Sequence, residues 1–209
     1  MKNPIIVVNF KTYKSGKEAL KMAKALEKVD KNIIVGVQAD DIFLISSKTK
    51  LKVYAQHVDP MEPGRNTGFV TPKSVKTDGA EGTFLNQSEH KLSFIVLKKT
   101  VEMCKKIGLK TLIFASNLGE AKKVQKLKPN YLVIEPLELV AGDVSVSEAK
   151  PEFIKKISKE LKGNFLVGAG IKNYKDVKIA MKFGASGVAV SSAITKTKNP
   201  GKKLRELMR

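Results

Sequence analysis

With 209 residues, 42% of them hydrophobic, the chain can bury one sizeable core, and its length favours a single domain spanning 1–209. Its 39 basic and 20 acidic residues give a formal charge of +19, which points to anionic partners. A single cysteine, Cys104, excludes an internal disulfide, and two histidines leave little from which to build a zinc site. No window approaches eighteen uninterrupted apolar residues, and the stretch Ile5 to Val8 is too short for a secretory signal. The expected location is therefore the cytoplasm, with no membrane span.

Short apolar runs rich in β-branched residues recur along the chain. They predict strands at Ile5–Val8, Ile33–Val37, Leu51–Ala55 and Gly82–Leu85, then at Thr111–Phe114, Leu132–Glu135, Phe165–Gly168 and Gly187–Val190. Amphipathic stretches lie between them. After the first strand, Lys17, Lys21, Lys24 and Lys28 interleave with Ala19, Leu20, Ala23 and Leu26, the pattern of a helix with a charged outer face. Val96, Val101, Cys104 and Ile107 mark a second such face, and Phe153, Ile154, Ile157 and Leu161 a third. Pro151 and Pro200 fit first helical positions, and Asn173 with Asp176 resembles an N-cap pair. Because Lys122-Lys123 and Lys155-Lys156 obey the same periodicity and no aromatic residues interleave with them, the lysines read as solvated helix faces. A nucleic-acid groove is the secondary reading.

Eight strands alternating with helices imply a parallel sheet, since parallel neighbours need crossover connections. A closed (β/α)8 barrel is the expected architecture, with a doubly wound open sheet as the alternative. The longest irregular stretch runs from Gln56 to Gly68, and loops of that length in compact domains are usually functional.

In a parallel barrel the chemistry sits at the C-terminal ends of the strands. Those ends supply Asn9 and Lys11 after the first strand, Gln87 and Glu89 after the fourth, and Glu135 after the sixth. Gly168-Ala169-Gly170 follows the seventh, and Ser191-Ser192 the eighth. A cation, a carboxylate, an amide donor and two small-residue loops suit proton abstraction beside a carbonyl on a small phosphorylated substrate.

Several strings in order carry a resemblance: VNFKTY, YAQHVDPMEPGRNTG, GTFLNQSEHK, VIEPLELVAGDVSVSEAKPE, VGAGIKNYKDV and GVAVSSAITKTKNP. Together they resemble the triosephosphate isomerases of the short archaeal type, nearly end to end. The resemblance implies a TIM barrel acting on a triose phosphate, without cofactor or metal, as a homodimer or homotetramer. It implies that Asn9 and Lys11 hold the substrate and that Glu135 moves the proton. The segment from Pro136 to Ser147 would be a lid. Backbone groups of Val140, Gly170, Ser191 and Ser192 would grip the phosphate, Glu89 would orient Lys11 or its neighbours, and Thr67 would reach across a subunit interface. His57, His90 and Arg65 read as structural, loop or interface residues.

Three positions depart from the family pattern. Gln87 stands where the family has a histidine, Ala193 where glycine is usual, and Phe114 where cysteine is common. A glutamine amide donates a hydrogen bond but does not titrate, so the donor survives and the proton relay does not. The expectation is a slowed or rerouted isomerase. The alternative is a degenerate barrel that binds triose phosphates without turning them over.

Overall fold

A computed structural model of the protein describes residues 3–136, 151–161 and 165–209. Its parallel strands close into one barrel in chain order. They are β1 (Ile5–Asn9), β2 (Ile34–Val37), β3 (Lys52–Ala55), β4 (Gly82–Leu85), β5 (Lys110–Ala115), β6 (Tyr131–Ile134), β7 (Phe165–Val167) and β8 (Gly187–Val190). Closure is made by β8 pairing with β1, from Ile5 opposite Gly187 to Val8 opposite Val190, which sets aside the open sheet. Each predicted strand is found with its ends shifted by at most one residue. Glu135 and Gly168 fall one position beyond β6 and β7 and not inside them.

Helices cover the outside: α1 (Gly16–Glu27), α2 (Ile42–Lys48), α3 (Pro72–Thr77), α4 (Phe94–Lys106), α5 (Leu118–Gln125), α6 (Pro151–Glu160), α7 (Tyr174–Lys182), α8 (Ser192–Thr195) and α9 (Pro200–Leu207). In α1, Ala19, Met22, Ala23 and Leu26 are buried while Lys17, Lys21, Lys24 and Lys28 are exposed, so the lysine ladder is a solvated face as its period predicts. Burying a side chain such as Leu26 contributes roughly 1.5–3 kcal/mol, and this face more than any intrinsic propensity holds the helix. Asn173 and Asp176 form a full capping box at the start of α7. Pro200 opens α9, where Asn199 accepts from the Lys202 N–H at 2.9 Å.

Strand alternation sorts the core into two layers. Ile6, Val8, Val35, Val37 and Ile113 face the helices, whereas Val7, Ile34, Tyr54, Phe84, Leu112, Phe114, Val133, Leu166 and Ala189 fill the barrel interior. The inner layer is closed by aromatic rings. Tyr54 and Phe84 lie 6.0 Å apart, and Phe84 meets Phe114 edge-on at 5.5 Å. Gly36 makes room for this: a Cβ there would stand 1.9 Å from the Phe84 ring. One step further along the same inward-facing rows come Asn9 after Val7, Gln56 after Tyr54, Glu135 after Val133, Gly168 after Leu166 and Ser191 after Ala189. The period of two that builds the core therefore also aims these residues at the mouth.

Candidate active site

At that mouth is a cavity of 470 Å³ lined by Asn9, Lys11, Gln87, Glu135, Gly170, Ser191 and Ser192 together with Tyr13, Phe114, Ala169, Ala193, Lys196 and others. Its volume suits a small ligand. Seven of the residues singled out from the sequence thus meet in one place. Glu89 joins them through Lys11. Thr67 does not: it is exposed in the long loop after β3. Val140 and the expected lid beyond Pro136 lie outside the described residues.

Three loops at the mouth adopt left-handed backbone. Lys11 (φ 47°), Asn86 (φ 60°) and Ala169 (φ 72°) are three of the four non-glycine residues of positive φ among the described residues. At a lysine or an alanine such a conformation costs about 1–3 kcal/mol and persists only where surrounding contacts enforce it, whereas asparagine tolerates it. At Lys11 the contacts are visible. Its N–H donates to Asn9 Oδ1 at 2.9 Å, its carbonyl accepts from Gln56 Nε2 at 2.9 Å, and its ammonium pairs with Glu89 Oε1 at 2.6 Å. Glu89 is thus the ion-pair partner of Lys11.

Asn86 holds the loop that carries Gln87. Its amide donates to the Phe114 carbonyl at 2.8 Å and to Glu120 Oε1 at 2.7 Å, and its Oδ1 accepts from the Leu92 N–H at 3.0 Å. Glu120 is completed by Lys91 at 3.0 Å and by the Ser116 N–H at 2.7 Å. These hydrogen bonds and the lysine hold its carboxyl below the ordinary carboxylate range against the opposing effect of burial.

The Gln87 amide has one orientation. Oε1 accepts from the Glu89 N–H at 2.8 Å and from Ser88 Oγ at 3.2 Å, which leaves Nε2 to donate to Glu135 Oε2 at 3.1 Å. The Gln87 donor is thus held against the Glu135 carboxylate in the wall of the cavity. His90 lies away from the cavity wall. Its ring stacks on His57 at 4.0 Å, and its N–H donates to the Gln87 carbonyl at 2.8 Å. His57 pairs in turn with Asp59 at 3.2 Å, so the two histidines link the loops after β3 and β4.

Burial pushes the Glu135 carboxyl up to about 7. The charges of Lys11 and Lys91 and the Gln87 hydrogen bond pull it down, and Glu89 adds to the rise. A carboxylate poised there is matched to proton abstraction near neutral pH. Space for it depends on Gly168, where a Cβ would come within 2.4 Å of both Cγ and Oε1 of Glu135. Phe114, in the same cavity, packs beneath through its contact with Phe84.

Gln56, Asn86, Tyr13 and Lys196 were not singled out from the sequence. Lys196 stands 4.8 Å from the centre of the Tyr13 ring, a cation–π contact linking the loops after β1 and β8. Only Gln56 carried a usable signal, its place two residues after the inward-facing Tyr54. Among the described residues no group of three acidic, histidine or cysteine side chains is arranged to hold a metal ion.

Fold and site define a parallel-barrel protein equipped for proton transfer on a small anionic substrate. The family model described as triosephosphate isomerase matches residues 4–208. Similar proteins bearing that name occur in Metallosphaera sedula, at 40% identity covering 100% of this chain and 96% of the relative, and in Saccharolobus solfataricus, at 38% with the same coverage. Another, from Methanocaldococcus jannaschii, is 37% identical over 98% of this chain and 99% of its own. The chain belongs to the triosephosphate isomerase family.

Proposed function

We propose that the chain interconverts dihydroxyacetone phosphate and D-glyceraldehyde 3-phosphate through an enediolate, with Glu135 as the base. The observation that carries this reading is the convergence of the Glu135 carboxylate, the Gln87 amide and Lys11 on one cavity, with Gln87 Nε2 3.1 Å from the carboxylate. Glu135 takes a proton from the carbon beside the carbonyl, and the carbonyl oxygen gains negative charge as the enediolate forms. The Gln87 N–H and the Lys11 ammonium face that charge and lower its energy. The same proton is then returned to the neighbouring carbon. Between those events a proton must also move from one oxygen to the other. Since the Gln87 amide does not titrate, that transfer falls to Glu135 or to a water molecule. Gly170, Ser191 and Ser192, at the side of the cavity formed by β7 and β8, serve the phosphate, and Asn9 offers its amide N–H groups to the substrate.

Steady-state isomerisation in both directions, with titration of a phosphorylated enediolate mimic beside inorganic phosphate, tests this. The expected result is turnover together with mimic binding at least about 10²-fold tighter than that of phosphate, the margin a transition-state-like ligand gains. Absence of turnover with mimic and phosphate bound alike would instead establish a binding protein.

We further propose that the chain works as a homo-oligomer with Thr67 at the contact. The loop bearing Thr67 also bears Phe69, which is 49% exposed, and its base is fixed by Asp59 through the Val70 N–H at 2.8 Å. A loop anchored at its base, with an exposed aromatic ring beside the anchor, suits contact with a second copy. Sedimentation equilibrium should give a multiple of 22.9 kDa. Thr67→Arg should shift that mass towards the monomer, and a natural chain that is monomeric at micromolar concentration would end the idea.

A further inference from the structure

One side-chain amide ties together the ends of three strands. Gln56, first after β3, points its Nε2 at the Lys11 carbonyl (2.9 Å), the Gly36 carbonyl at the end of β2 (3.1 Å) and Asn9 Oδ1 at the end of β1 (3.3 Å). Its amide has one possible orientation, because the flipped form would set an oxygen against three oxygens. Two consequences follow at the mouth. Lys11 is held in a left-handed conformation that only Gly, Asn and Asp visit readily, with its carbonyl bound by Gln56 and its N–H by Asn9. Asn9 is committed as well: its Oδ1 accepts from both Lys11 and Gln56, so its two amide hydrogens are turned towards the cavity that it lines.

We propose that Gln56 is a positioning residue for the isomerisation, fixing the Lys11 ammonium and the Asn9 amide at once from outside the cavity. It is not a catalytic residue, as it is absent from the cavity lining. The inference rests on Asn9 and Lys11 being the groups that hold substrate. Without the Gln56 donors, Lys11 is free to leave its left-handed conformation, which displaces the ammonium, and the Asn9 amide is free to turn over. A displacement of about 1 Å at such a site costs on the order of 10²-fold in rate.

The test compares Gln56→Met, which keeps the length and removes the donors, with Gln56→Glu and Lys11→Ala in the full-length protein. Gln56→Met is expected to lower kcat about 30–100-fold and to weaken the enediolate mimic by a similar factor, with inorganic phosphate binding changed less than about 3-fold. In the Lys11→Ala background the same substitution should cost much less, because its effect passes largely through Lys11. Gln56→Glu supplies a pH signature. The introduced carboxyl faces three oxygens, is favoured in its protonated form, and then has one O–H donor to offer the Lys11 carbonyl. Its kcat relative to Gln56→Met should therefore rise as pH falls. Four results would each overturn the proposal: kcat within about 3-fold in Gln56→Met with only a lower melting temperature, additive losses in the double variant, a flat Glu-to-Met ratio across pH, or a silent Lys11→Ala. The last would also remove the assignment of Lys11, whereas the first three leave it standing. If Gln56→Met fails to fold, the kcat of Gln56→Glu is read against that of the natural chain at each pH, and a ratio that does not rise as pH falls overturns the proposal.

Discussion

Glu135→Gln is expected to lower kcat by about 10²–10⁴-fold while leaving the substrate's phosphate contacts in place, so KM should change little. The glutamine keeps the size of the side chain and its hydrogen bond with the loop of β4 but offers no base. The natural chain should show the same dependence through pH. With the carboxyl near 7, kcat/KM should fall about tenfold per unit below pH 7 as the base is protonated. An inflection near 4.5, the ordinary value for a glutamate, would mean that Glu135 is not held as described. Stability moves in the opposite sense. The folded-state value lies above the unfolded one, so the folded protein binds this proton more tightly. The resulting stabilisation is complete below about 4.5 and is lost as pH rises through 7. At about 1.4 kcal/mol per unit, the neutral glutamine should make the variant more stable at pH 8 by up to about 3 kcal/mol. Thermal melts at pH 5 and pH 8 would show the gap opening only at the higher pH. A protein that is less stable and less active in Glu135→Gln at both pH values would have lost packing and not a base.

The barrel was legible because its physics is local. Each β-branched run needs only two neighbours of its own kind, and each lysine-edged helix declares its buried face by period. The site was legible for a related reason. Parallel strands closed into a barrel put all their C-terminal ends on one rim, so Asn9, Lys11, Gln87, Glu135, Gly170, Ser191 and Ser192 could be gathered from their places in the chain. What the sequence did not display were the residues that hold those groups still. Gln56 looks like the first residue of a loop until β1, β2 and β3 lie side by side and put three oxygens within reach of its amide. Asn86 looks like a turn residue until Phe114, Glu120 and Leu92, from up to 34 positions away, surround it. Such partners are set by tertiary neighbourhood, and neither hydrophobic period nor local spacing encodes them. The two histidines show the same limit: only the structure shows that His90 stacks against His57 and lies away from the cavity wall.

That last point makes Gln87→His the substitution with the largest expected gain. The natural amide is a donor in the wall of the cavity, and what it lacks is a proton that can leave. In the variant, the Glu89 N–H that now donates to Gln87 Oε1 at 2.8 Å would donate to the ring nitrogen nearer the backbone. The proton then resides on the other nitrogen, the tautomer that points a donor at the substrate. Loss of an electrostatic donor of this type costs about 10²–10³-fold in kcat. Gln87 retains the donor and lacks only the relay, so restoring an imidazole should raise kcat by about 10–10²-fold with little change in KM. Gln87→Leu fixes the lower rung: removing the donor as well should reduce kcat by a further 10²-fold or so. A ladder in the order leucine, glutamine, histidine would apportion the electrophile into its hydrogen-bonding and proton-carrying halves. If histidine instead matches or falls below glutamine while leucine is much slower, the transfer between oxygens is already fast through Glu135 or water. In that case the amide at position 87 gives the site all the assistance it needs there.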